Sequence, residues 1–103
     1  MELKDIKAVY FVGAGGIGMS AIARYFIHRG VVVAGYDKTP SALTQQLEKE
    51  GMIIHYEEDI NEIPHACRDK ASCLVVYTPA IPATHQELTW FRDSGFEVQK
   101  RAQ

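Results

Sequence analysis

Five short apolar runs are spaced along the chain, separated by turns rich in glycine and proline. The first, Lys7–Val12, is apolar at every position after its lysine, as suits a central strand covered on both faces. A glycine-rich turn follows, and then a helix-prone stretch running to Arg29. Within it Gly18, Ile22, Tyr25 and Phe26 fall at i, i+4, i+7 and i+8, which predicts one buried face. His28, Arg29 and Gly30 supply a cationic last turn and a glycine stop. Val31–Asp37 reads as the second strand. Around Thr39-Pro40-Ser41 a second helix begins, capped either by Thr39, with Pro40 in the first helical position, or by Ser41. Leu43 and Leu47 are its expected buried stripe, and Gly51 ends it.

Met52–Ile54 is a short third strand. From Glu57 to Ala71 the periodicity fails, and the reading there is a loop with one helical turn. Cys73–Tyr77, apolar throughout, is a fourth and central strand, and Pro79 and Pro82 stiffen the loop after it. Thr84 and Glu87 match a capping box ahead of a helix reaching Ser94. Gly95 stops that helix, and Phe96–Val98 is an edge-like last strand. Strands alternating with helices predict an α/β domain: a Rossmann-like open parallel five-stranded sheet with helices on both faces. Such sheets bind ligands beyond the carboxyl ends of their strands, here at Gly13–Ser20, Asp37–Ser41 and Thr78–Ile81.

The turn after the first strand narrows the chemistry. Gly13-x-Gly15-x-x-Gly18 lies between a strand and a helix, where unpaired backbone N–H groups and the helix dipole attract a diphosphate. Asp37 ends the second strand 19 positions beyond Gly18, the place of an acid that meets a ribose hydroxyl or a base. Taken alone, these features favour an NAD(P)-binding half-domain of a dehydrogenase or regulator.

Composition removes other classes. The chain has 103 residues, enough for one domain, with 47% apolar and 23% charged positions. No apolar run approaches the roughly 20 residues of a membrane span, and the first residues carry no signal-peptide pattern. A net charge of −2 without a basic block argues against nucleic acid as a partner. Cys67 and Cys73 are too few for a disulfide framework, which fits reduced thiols in a cytoplasmic protein. His28, His55, His65 and His85 lack metal-site spacing and read as solvated, and no metal site is expected. Glu57-Glu58-Asp59 reads as a solvated loop rather than a catalytic pair. Phe91 pairs with Leu88 as core, while Trp90 is expected half exposed. No P-loop, nucleophile elbow or other catalytic constellation is present in the sequence.

Phe11-Val12-Gly13-Ala14-Gly15-Gly16-Ile17-Gly18-Met19-Ser20 resembles the opening of the Mur ligases, in particular the branch that joins L-alanine to UDP-N-acetylmuramate. Gly16 and the Met19-Ser20 pair are not demanded by the NAD fingerprint. Further similarities follow in order: Gly35-Tyr36-Asp37, Ser41 to Leu47, Thr78-Pro79-Ala80-Ile81-Pro82, and Arg101-Ala102. A related branch, which recycles murein tripeptide, matches the glycine loop less well.

The resemblance implies a cytoplasmic, three-domain ligase of peptidoglycan synthesis, of which residues 1–103 are only the first, UDP-N-acetylmuramate-binding domain. ATP and Mg²⁺ then belong to the full-length enzyme's central domain, which this domain would contact; no cofactor is expected in this stretch. By the same resemblance, Gly13, Ala14, Gly15, Gly16, Ile17, Gly18, Met19 and Ser20 hold the diphosphate. Asp37, Thr39 and Ser41 face the uridine, and Thr78, Pro79, Ala80 and Ile81 line the sugar side. Tyr36 stands where the family often has Ser, which alters the edge of the nucleoside pocket. After the third strand the family usually has a His, where this chain reads Glu57-Glu58-Asp59, and no residue is carried over there.

Overall fold

The computed structural model describes residues 1–16 and 18–101. Five strands, β1 (Ala8–Val12), β2 (Val32–Tyr36), β3 (Ile53–His55), β4 (Cys73–Tyr77) and β5 (Glu97–Lys100), form one sheet in the order β3-β2-β1-β4-β5. Every pairing is parallel. β1 pairs with β2 on one side and β4 on the other, Val12 lying opposite both Tyr36 and Tyr77. The chain order therefore reverses at β1, and the loops after β1 and β4 diverge there, which opens a crevice at the carboxyl end of the sheet.

The alternation of β1 serves two cores. Val9 and Phe11 pack with Met19, Ala23 and Phe26 of α1 (Met19–His28) and Leu47 of α2 (Ala42–Lys49). Ala8, Tyr10 and Val12 pack on the other face with Ile63, Cys67, Phe96 and Phe91 of α3 (Gln86–Asp93). All five β1 residues are buried, so the uninterrupted apolar run is the signature of a strand covered twice.

The helix faces differ from the sequence expectation. Gly18 is not helical but caps α1 in the left-handed region at φ 79°, so the helix starts at Met19 and its buried face is Met19, Ala23 and Phe26. Tyr25 is 47% exposed. In α2 the stripe is Thr44 and Leu47, and Leu43 is exposed. Ser41 is the cap: its Oγ accepts the Thr44 N–H at 3.1 Å while Thr44 Oγ1 accepts the Ser41 N–H at 2.8 Å. That reciprocal pair turns Thr44 inward and sends its neighbour Leu43 out. Between β3 and β4 lie two short 3₁₀ turns, Ile60–Glu62 and His65–Cys67, where one helical turn was expected. The Thr84–Glu87 capping box does not form: His85 caps α3, its Nδ1 accepting the Glu87 N–H at 3.2 Å.

Candidate functional site

The loop after β1 is shaped by its glycines and held by β2. The Gly13 and Ala14 N–H groups both donate to the Tyr36 carbonyl at 2.8 Å. Gly13 adopts φ 98°, a conformation side chains rarely take, and a Cβ there would lie 2.8 Å from Thr78 Oγ1. Gly16 N–H donates to the Gly13 carbonyl at 3.0 Å and Met19 N–H to the Gly16 carbonyl at 3.1 Å. Asp37 completes the clamp: its Oδ1 accepts the Gly15 N–H at 3.0 Å and its Oδ2 the Thr39 N–H at 3.2 Å. Thus the acid at the end of β2 is held by the backbone of two loops.

Where the loops after β1, β2 and β4 converge lies a cleft of about 460 Å³. Of the residues expected from sequence, it brings together Gly13, Gly15, Gly16, Asp37, Thr78, Ala80 and Ile81. The others lie elsewhere. Ala14 and Met19 are buried in the core beneath the loop. Gly18 and Ser20 stand at the start of α1, Thr39 binds Asp37 through its backbone, Ser41 caps α2, and Pro79 is exposed outside the cleft lining. Ile17 lies outside the described residues.

Sequence reasoning missed part of the cleft wall: Lys38, Glu58, Pro82 and His85 line it with Tyr36. His85 is not solvated but 3% exposed, its ring meeting Tyr36 edge-on at 4.7 Å between centroids. Glu58 is exposed, as expected of a solvated loop, and its Oε2 accepts the Gln86 N–H at 2.5 Å. The signal available was the β4–α3 loop itself: any residue capping α3 had to stand at the crevice. Arg101, at the end of β5, was noted only as a family match. Its guanidinium lies against Gly18, where a Cβ would come within 2.8 Å of Nη2, so a cation flanks the start of α1.

Behind the cleft a second unread cluster ties the sheet to α3. Glu87 is fully buried and Tyr10 donates its hydroxyl to Glu87 Oε1 at 2.5 Å. His55 Nε2 is 2.7 Å from Glu87 Oε2 and 3.2 Å from the Tyr10 hydroxyl, and the Asp59 N–H donates to Oε2 at 3.0 Å. Burial, and then the neighbouring Glu87 carboxyl, push the Tyr10 phenol well above its ordinary value. His55, like His85, is therefore structural rather than solvated. Cys67 and Cys73 are free and buried. Cys73 Sγ donates to the Leu74 carbonyl at 3.8 Å, and the neighbouring Cys67 thiol, then burial, raise the Cys73 thiol above its ordinary value.

A parallel sheet of this order, with a glycine loop and an acid-bearing loop meeting at its reversal point, defines the class of Rossmann-like open α/β domains. Residues 8–103 match the family model described as "Mur ligase family, catalytic domain", and the chain belongs to the Mur ligase family. It is 58% identical over 103 residues to UDP-N-acetylmuramate–L-alanine ligase of Phocaeicola vulgatus, covering 100% of this chain and 22% of that protein. Identity to the same-named ligase of Parabacteroides distasonis is 59% over 102 residues, covering 99% and 22%. The crystal structure of UDP-N-acetylmuramate-alanine ligase from Thermotoga maritima superposes with a TM-score of 0.78 at 29% identity, over 91% of this chain and 20% of that one. A ligase acting on UDP-N-acetylmuramate and a tripeptide, from Neisseria, shares the fold with a TM-score of 0.75 at 19% identity, over 92% and 28%. The chain thus spans about a fifth of the length of the curated relatives it matches.

Proposed function

We propose that residues 1–103 form the UDP-N-acetylmuramate-binding N-terminal domain of a ligase that joins L-alanine to that sugar nucleotide in peptidoglycan synthesis. The observation that carries the reading is the joining of Gly13, Gly15, Gly16, Asp37, Thr78 and Ile81 in one cleft, in a chain 58% identical to a ligase of that name. In this reading the glycine loop and the start of α1 receive the diphosphate, with Arg101 beside Gly18 adding positive charge. Asp37 shapes the nucleoside side by holding the loop, and Thr78 to Ile81 line the way to the sugar.

ATP and Mg²⁺ belong to other parts of such an enzyme. The residues described here do not fit them: the glycine loop has no P-loop lysine, Met19-Ser20 following Gly18 instead. In this reading the domain's partners are its small-molecule substrate and the enzyme's ATP-binding part. The competing reading, an NAD(P) half-domain, needs open room for a nicotinamide at the loop after β4, where Thr78, Ala80, Ile81 and Pro82 line the cleft.

Titration of the chain with UDP-N-acetylmuramate and with NADH, followed by amide chemical shifts, tests this. UDP-N-acetylmuramate should move the signals of Gly13, Gly15, Gly16 and Thr78. Tight NADH binding with no response to the sugar nucleotide would reverse the assignment.

A further inference from the structure

We propose that Glu58 is the cleft's hydrogen-bond acceptor for the nucleoside part of its ligand, taking a donor from the ribose hydroxyls or from the imide N–H of the base. The inference rests on the sugar-nucleotide reading above and goes beyond it by naming a contact at a position for which the family resemblance supplied no residue.

Three observations carry it. First, Glu58 lines the same cleft as Gly13, Gly15 and Gly16, together with Lys38, Pro82 and His85. A ligand whose diphosphate sits at the glycine loop keeps its nucleoside within reach of the rest of that cleft lining.

Second, the two carboxylate oxygens of Glu58 are differently engaged. Oε2 is fixed by the Gln86 N–H at the start of α3, at 2.5 Å. Oε1 faces His85 Nε2 at 3.8 Å, beyond hydrogen-bond reach. His85 Nδ1 accepts the Glu87 N–H, which puts the ring proton of a neutral His85 on Nε2. That Nε2 is buried and has no hydrogen-bond partner among the described residues. The pair is thus oriented but not closed: one oxygen anchored, the other facing an unused buried donor, with acceptor capacity left on the cleft side.

Third, the acid that a nucleotide-binding sheet ordinarily offers to the ribose is already engaged here. Asp37 uses one oxygen on the Gly15 N–H and the other on the Thr39 N–H. A nucleoside brings two ribose hydroxyls and, in a uracil base, one imide N–H, all of which need acceptors once out of water. Glu58 is a carboxylate on the wall with an oxygen to spare.

The test is calorimetric titration of the chain and its Glu58→Ala and Glu58→Gln variants with UDP, 2′-deoxy-UDP, N3-methyl-UDP and inorganic pyrophosphate. Glu58→Gln keeps an oxygen for the Gln86 N–H while presenting an amide NH₂ to the cleft, so it preserves the start of α3. Both variants should bind UDP about tenfold or more weakly, the effect of losing a hydrogen bond to a charged group. Pyrophosphate should bind all three proteins alike. The analogue that lacks the donor Glu58 uses should bind wild type and variants equally, which separates ribose from imide recognition. Wild-type UDP affinity in both variants overturns the Glu58 assignment alone. Equal losses for UDP and pyrophosphate also overturn it, since the effect would then lie in the loop. A wild-type chain that binds no UDP overturns this inference together with the function it rests on.

Discussion

Asp37 Oδ1 accepts the backbone N–H of Gly15 at 3.0 Å, so the acid closing β2 holds the loop that closes β1. Its second oxygen accepts the Thr39 N–H at 3.2 Å, which fixes the turn leading into α2. The glycine loop is therefore not an open array of donors. Its shape is set by a neighbouring strand end before a ligand arrives, and an anion reaching for Gly15 must compete with a carboxylate.

The Asp37→Ala variant should consequently loosen the loop. Loss of two partly exposed hydrogen bonds is expected to cost about 1 kcal/mol, or a fall of roughly 4–8 °C in Tm for a domain of this size. Asp37→Asn retains an acceptor for one of the two N–H groups and should fall less. Hydrogen exchange at the Gly15 amide checks the cause. It should accelerate in Asp37→Ala, and unchanged exchange there would show that the loop is held by its other bonds.

Gly16 and Thr78 make a second matched pair. A Cβ on Gly16 would run into Thr78 Cγ2, and Thr78 is itself 93% buried. Gly16→Ala should destabilise the chain by about 1–3 kcal/mol, as overpacking does, and push the loop after β4 outward. Thr78→Ser deletes the offending methyl while keeping the hydroxyl. The double variant should therefore recover much of the loss, a coupling that a cycle of urea midpoints measures directly. Additive losses would show that Gly16 is needed for its backbone and not for the space above it.

That pair explains what could be read from sequence and what could not. The strands were legible because β1 and β4 are buried on both faces, so their residues are apolar without alternation. The parallel five-stranded sheet and the three loops at its carboxyl end followed from that pattern and from the glycine turn. Helix phase was not legible, because it depends on where each helix begins. Reading Gly18 as helical rotated the first face onto Tyr25, and the Ser41–Thr44 cap exchanged Leu43 for Thr44. Polar burial was hidden for a different reason. Glu87, His55 and His85 carry no apolar signal, and their inward positions come from partners far along the chain: Tyr10 is 77 positions from Glu87, and His55 is 32. The cleft wall at Glu58 and His85 escaped for the same cause, since the loop after β3 meets the start of α3 only in the folded sheet.

The Tyr10–Glu87 bond gives a pH dependence whose sign can be worked out. In the fold, burial and then Glu87 raise the Tyr10 pKa far above its ordinary value, whereas the unfolded chain releases that proton near pH 10. The stabilisation is thus fully present below about pH 10 and is lost as the pH climbs above it, at up to about 1.4 kcal/mol per pH unit for one proton. Tyr36 and Tyr56 are raised as well, chiefly by burial, and add a weaker dependence in the same direction. Tyr10→Phe should cost about 1–2 kcal/mol at neutral pH, since the buried Glu87 keeps His55 and the Asp59 N–H but loses its hydroxyl donor. Above about pH 10 the variant should lose stability less steeply than the wild type, because one phenol no longer titrates on unfolding. Urea midpoints at neutral pH and at roughly pH 11 measure both effects. Equal alkaline losses in the two proteins would show that Tyr10 is not the group holding its proton.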